Sequence, residues 1–122
     1  MNSKNVLTNL EYKVLFEKGT EPPFSHVFNG LKKDGIFSCK NCDNQLFNSE
    51  HKYDSGSGWP SFYEQIQNAV ATHSDTSHVM ERIEIVCNHC QCHLGHVFPD
   101  GPEPTGLRYC VNGTALNFID EF

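Results

Sequence analysis

Apolar and polar positions alternate along this chain with two different periods. In LTNLEYKVLFEKGTEPPF, residues 7–24, the apolar residues Leu10, Val14 and Leu15 recur at helical spacing. Thr8 and Glu11 stand three apart as a capping box, and Leu7 is placed to staple onto Tyr12. Gly19 supplies a stop, and Pro22 and Pro23 prevent continuation. The spacing predicts one short N-terminal helix, and no second long helical pattern follows it.

Beyond it the runs shorten and become strand-like: GIFSC (35–39), QLFN (45–48), SFYEQI (61–66), ERIEIVC (81–87), HLGHVF (93–98), LRYCVN (107–112) and TALNFI (114–119). Turn-forming clusters such as DSGSG, PDGPEP and NG separate them. Short, regularly spaced strands predict a mainly β fold: two antiparallel sheets forming a small sandwich or open barrel, with the N-terminal helix packed outside. No repeat, low-complexity segment or linker interrupts the pattern, so residues 1–122 read as one domain.

Charge and composition narrow the function. The net charge is −6 with both signs interspersed, and no Lys/Arg cluster offers a nucleic-acid surface. No stretch reaches membrane-span length, and MNSKNVLTNLEYK lacks a signal-peptide core, so a cytoplasmic protein without membrane contact is expected. Thiols stay reduced there. The six cysteines therefore read first as metal ligands or catalytic thiols, ahead of disulfides.

Four of them form two C-x2-C knuckles, Cys39/Cys42 and Cys87/Cys90, with residues 43–86 between. Two such turns can complete the tetrahedron that zinc prefers, and a closed four-sulfur site is structural. The long gap predicts a metal clipping distant sheet ends together. Two dithiol redox motifs, or four buried cysteines, are the competing readings, and His89, Cys92 and His93 beside the second knuckle allow a variant ligand set.

Cys110, in GLRYCVNG, has no cysteine near it in sequence. Strand alternation puts Arg108, Cys110 and Asn112 on one face and Tyr109 and Val111 on the other. A cation at Arg108 and an amide at Asn112 would suit a reactive thiol, yet an inert core cysteine fits the same hexapeptide. In CHLGHVFPDGP, Gly95 permits a bulge that would bring His93 and His96 to one site, as candidate proton donors or polar anchors. Trp59, the only tryptophan, sits in the glycine-rich DSGSGWPSF, where it either walls a pocket or plugs the core.

Taken in order, EKGTEPPFS, both knuckles, DSGSGWPSFY, HLGHVFPDGP, PTGLRYC and the final NF closely resemble one family, the B-class methionine sulfoxide reductases, over about Leu7 to Phe118. The resemblance implies that this is an oxidoreductase of the peptide-methionine (R)-S-oxide reductase type, reducing the R epimer of methionine sulfoxide, mainly in oxidised proteins. It implies structural zinc on Cys39, Cys42, Cys87 and Cys90, and Cys110 as the nucleophile that ends as a sulfenic acid. His93, His96 and Asn112 match positions that bind and activate substrate, Trp59 the aromatic that receives its methyl, and Arg108 the basic residue preceding the nucleophile.

The sequence departs from the family at one position. The resolving cysteine common in the glycine-tryptophan loop is replaced by Ser57. A hydroxyl cannot form a disulfide with a sulfenic acid, so recycling by an external thiol of the thioredoxin or glutathione type is expected. Cys92 is the disfavoured internal alternative: it adjoins His93 on a strand and should face away from the pocket. A monomer is the default. The rival function is a zinc-stabilised β module that binds a protein or a sulfoxide without turnover.

Overall fold

A computed structural model describes residues 7–76 and 81–120. The capping box forms as expected: Glu11 N–H donates to Thr8 Oγ1 (3.1 Å) and Thr8 N–H to Glu11 Oε1 (2.9 Å), opening helix α1, Asn9–Glu17. Val14 and Leu15 are buried, but Leu10 is 49% exposed, so the apolar stripe is narrower than its spacing suggested. The stop also differs. Lys18 takes the left-handed conformation (φ 59°), and Gly19 N–H closes onto the Lys13 carbonyl at 2.9 Å.

The mainly β expectation holds. Strands β1 (Gly35–Cys39), β2 (Gln45–Asn48) and β9 (Leu116–Asp120) form a three-stranded sheet in the order β2-β1-β9. The larger sheet contains β3 (Lys52–Tyr53), β4 (Ser61–Phe62), β5 (Val70–Asp75), β6 (Arg82–Cys87), β7 (His93–Phe98) and β8 (Arg108–Val111), in the order β3-β4-β8-β7-β6-β5. All pairings are antiparallel.

Aromatic side chains join the two sheets. Phe47 stacks on Phe62 (4.4 Å between ring centroids), Phe37 meets Phe62 edge-on (5.2 Å), and Tyr109 tilts against Phe47 (5.7 Å). Such contacts add to the large area these rings bury.

Two features escape the hydrophobic pattern. Within the run 61–66 only Ser61 and Phe62 form a strand, after which the chain turns and Ile66 N–H reaches the Leu46 carbonyl. The edge strand β5, VATHSD, is mostly polar and exposed, so no alternation announces it. Among the described residues no helix is long and apolar enough to cross a membrane.

Candidate active site

Strand β8 alternates as predicted: Tyr109 is buried and Val111 lies fully in the core, while Arg108 and Cys110 take the other face. Cys110 is paired with Ser61 of β4 on one side and with His96 of β7 on the other. The approach of β7 depends on Gly95, where an added Cβ would collide with the Cys110 carbonyl oxygen. Between Ile85 and Val86 the β6–β7 register shifts, leaving Leu94 as the extra residue. That bulge turns His93 and His96 the same way, with ring centroids 5.5 Å apart.

Each imidazole is held by a buried carboxylate. His93 Nδ1 lies 2.7 Å from Glu84 Oε2, and His96 Nε2 lies 2.8 Å from Asp75 Oδ2. A carboxylate accepts, so each of these nitrogens carries its proton. Burial pushes the His93 imidazole below its usual range, although Glu84 pulls the other way, so the ring is neutral at neutral pH. Its Nε2 is buried without a hydrogen-bond partner among the described residues.

A cavity of about 320 Å³ opens over this face, with Cys110, His96, Trp59, Arg108, Asn112, Ser57 and Phe98 in its wall. Trp59 is half-buried and donates Nε1–H to the Glu21 carbonyl at 2.9 Å, which makes it a wall and not a core plug. Arg108 forms a two-point ion pair with Asp100 (2.9 and 3.2 Å) and lies 4.4 Å over the Phe98 ring. Asn112 lines the cavity, but its amide is engaged: Nδ2 donates to the Leu94 carbonyl and Oδ1 accepts from Glu21 N–H, both at 3.0 Å. His93 touches His96 without lining the cavity.

Sequence reasoning missed three acids here. Glu21 is 1% exposed; its carboxylate accepts from Gly113 N–H (3.0 Å) and Thr114 N–H (2.7 Å), tying the TEPPF segment to the end of β8 and to Trp59. Glu84 carried a signal, as an acid amid the apolar run RIEIVC. Asp75 carried none, because β5 itself was not legible.

Burial raises the Cys110 thiol above the usual cysteine range, and neither the Arg108 charge nor a hydrogen bond from Ser57 overcomes it. The resting thiol is therefore protonated, contrary to what the nearby cation alone suggested. Alkylation of Cys110 by iodoacetamide, followed by mass spectrometry, should keep accelerating through the pH at which an ordinary thiol levels off, about 8.5. A plateau at lower pH would mean that Arg108 and Ser57 outweigh burial.

At the far ends of β1 and β6 the two knuckles repeat one turn. Asp43 N–H bonds the Cys39 carbonyl and Gln91 N–H the Cys87 carbonyl, both at 2.8 Å, with Asp43 and Gln91 left-handed (φ 67° and 66°). The sulfurs of Cys39, Cys42, Cys87 and Cys90 are buried and lie within 4.8 Å of one another, with the Cys39–Cys90 and Cys42–Cys87 pairs at 3.6 Å. A Zn–S bond of about 2.3 Å gives tetrahedral edges of about 3.8 Å, so this set could hold a zinc ion. Cys92 is buried with its sulfur against Cys90, on the cluster side and not in the cavity wall.

The SelR domain model matches residues 7–120. The peptide methionine sulfoxide reductase MsrB of Methanosarcina mazei is 53% identical over 119 residues, covering 97% of this chain and 85% of that protein. A match of this extent, on a chain whose cavity gathers the thiol, imidazole and indole in one wall, settles the family: the chain belongs to the SelR family, the B class of peptide methionine sulfoxide reductases.

Proposed function

We propose that the chain, acting as one domain, reduces the R epimer of methionine sulfoxide in oxidised proteins through Cys110. The observation that carries this reading is a partly buried thiol in a cavity wall that also holds Trp59 and His96. Trp59 takes the substrate methyl and thereby fixes which epimer presents its sulfur to Cys110. His96, in its neutral form, accepts the thiol proton at the nitrogen not held by Asp75 and passes it to the sulfoxide oxygen. Asp75 steadies the imidazolium in between, and the His93–Glu84 pair buttresses the ring. Arg108, held flat by Asp100 and Phe98, keeps positive charge beside the thiolate as it forms. Asn112, together with Glu21, sets the wall that positions these groups.

The Cys110 sulfur bonds to the sulfoxide sulfur, oxygen is transferred, and the net change is thiol plus sulfoxide to sulfenic acid plus methionine. Recycling consumes two external thiols and returns the Cys110 thiol, a disulfide and water. Both thioredoxin and glutathione are of the required class. Zinc on Cys39, Cys42, Cys87 and Cys90 supplies a cross-link between sheets. The protein works as a monomer in the reducing cytoplasm.

The test is a single turnover of reduced protein with each epimer and no added thiol. Methionine from the R epimer alone, with one oxygen on Cys110, is expected. A Cys92–Cys110 disulfide would overturn the external recycling, and no methionine from either epimer would leave a binding module.

Position 57 gives a second check, because Ser57 stands with Cys110 in the wall of one cavity and its hydroxyl acts on the Cys110 thiol. Ser57→Cys should turn the single-turnover product from a sulfenic acid into a disulfide between the introduced thiol and Cys110, seen as a loss of two hydrogens on mass analysis. Persistence of the sulfenic acid in that variant would show that the loop does not bring position 57 to the nucleophile.

A further inference from the structure

A second cavity, of about 380 Å³, is joined to the first by a short stretch of chain. Segment 53–59 runs from one to the other: Tyr53 and Asp54 line the second, Ser57 and Trp59 the first. Phe24 stands at the junction. Its N–H donates to the Gly58 carbonyl at 2.6 Å, and its ring packs so closely on Gly58 that an added Cβ there would lie 2.9 Å from it. Phe24 is nevertheless 71% exposed and held in the left-handed region (φ 61°), a conformation costing about 1–2 kcal/mol in a residue with a side chain. Val27, three residues on, is 78% exposed. The fold gains little from holding a strained phenylalanine in solvent, and an apolar residue so held beside a substrate cavity is suited to contact something that arrives.

The second cavity also carries a small positive excess, three lysines to two aspartates. Lys32, Lys33 and Lys52 line it against Asp34 and Asp54, in a chain whose formal net charge is −6. Lys33 is engaged by Asp120 at 3.1 Å. Lys52 is half-buried and donates one hydrogen to the Asn29 carbonyl at 3.0 Å, which leaves two for a ligand. Burial lowers its affinity for its proton; Asp54 offsets part of this, and the charge of Lys32 adds a smaller push in the lowering direction. An anion placed between Lys32 and Lys52 would offset the repulsion between them.

We infer that the second cavity is a subsite for the oxidised polypeptide itself: an acidic side chain a few residues from the methionine sulfoxide meets Lys52 and Lys32, while Phe24 contacts the intervening chain. This rests on the first cavity being the methionine sulfoxide pocket. Asp54 and Ser57 are three residues apart, at most about 10 Å, a span that an extended peptide advancing about 3.3 Å per residue covers in about three residues.

The test uses blocked heptapeptides of alanine and glycine around one methionine-R-sulfoxide, with a glutamate or a lysine walked from three residues before it to three after. N-acetyl methionine-R-sulfoxide serves as the control. On one side of the sulfoxide, glutamate should raise kcat/KM about threefold to tenfold over lysine, mainly through KM and less at high salt. Lys52→Gln and, separately, the exposed Lys32→Gln should each shrink that ratio and leave the N-acetyl control unchanged. Phe24→Ala should raise KM for every peptide but not for the control. Equal rates for glutamate and lysine at all positions would overturn the subsite while leaving the first cavity as assigned. Failure to reduce the control would overturn the reading of the first cavity, and the subsite with it.

Discussion

Replacing Cys110 by serine is expected to remove at least about 10³-fold of the methionine-forming activity while the protein folds and holds its metal as before. Backbone and side chain of this residue lie in two different environments. The Cys110 backbone belongs to β8, fixed between β4 and β7, and its neighbours Tyr109 and Val111 carry the core packing. The sulfur faces the cavity, so exchanging it for a smaller oxygen removes little buried contact and should cost less than about 1 kcal/mol. The chemical consequence is far larger. A serine hydroxyl is a much weaker acid and a poor nucleophile toward sulfur, and it has no sulfenic acid to form. Methionine release, metal content and thermal midpoint measured on one preparation separate the effects. Activity within tenfold of the parent would place the redox step on another thiol. Joint loss of activity, metal and folding would show that Cys110 is a structural residue after all.

How much of this site is legible in the sequence depends on how local each signal is. The strand β8 alternation needs only neighbouring residues and is readable in LRYCVN. The knuckles are readable because a two-residue spacing is itself the geometry of the turn. The approach of His93 and His96 is readable as a possibility through Gly95, but the bulge that realises it lies in the pairing of β6 with β7. Leu10 is misplaced by its spacing because periodicity gives the direction of a helical stripe and not how much of it the core covers. The carboxylates are hardest. Asp75 meets His96 across 21 positions, and Glu21 reaches Gly113 and Thr114 across 92 and 93. Nothing in TEPPF or VATHSD marks an acid for burial, because the groups that satisfy it arrive only when the chain is folded.

Stripping the metal is expected to have the largest effect on stability. The first knuckle follows β1 of the small sheet and the second follows β6 of the large one, so an ion on Cys39, Cys42, Cys87 and Cys90 joins elements otherwise linked through side-chain packing. Structural zinc sites contribute about 10–16 kcal/mol in small domains, comparable to or larger than the whole stability of such a chain. Without the ion, four buried sulfurs also remain crowded within 4.8 Å of one another, and all four cannot carry the negative charge that the metal would neutralise. The purified protein should contain one zinc per chain. Chelation should remove the ion together with the cooperative thermal transition and the near-ultraviolet circular dichroism of the packed aromatics, and returned zinc should restore both. Cys87→Ala should reproduce the chelated state with Cys110 intact, and the chelated parent should lose activity because β6 no longer holds Glu84 against His93. Metal-free protein that melts at the same temperature would mean that the aromatic contacts between the sheets hold the fold alone and that the four sulfurs are simply core.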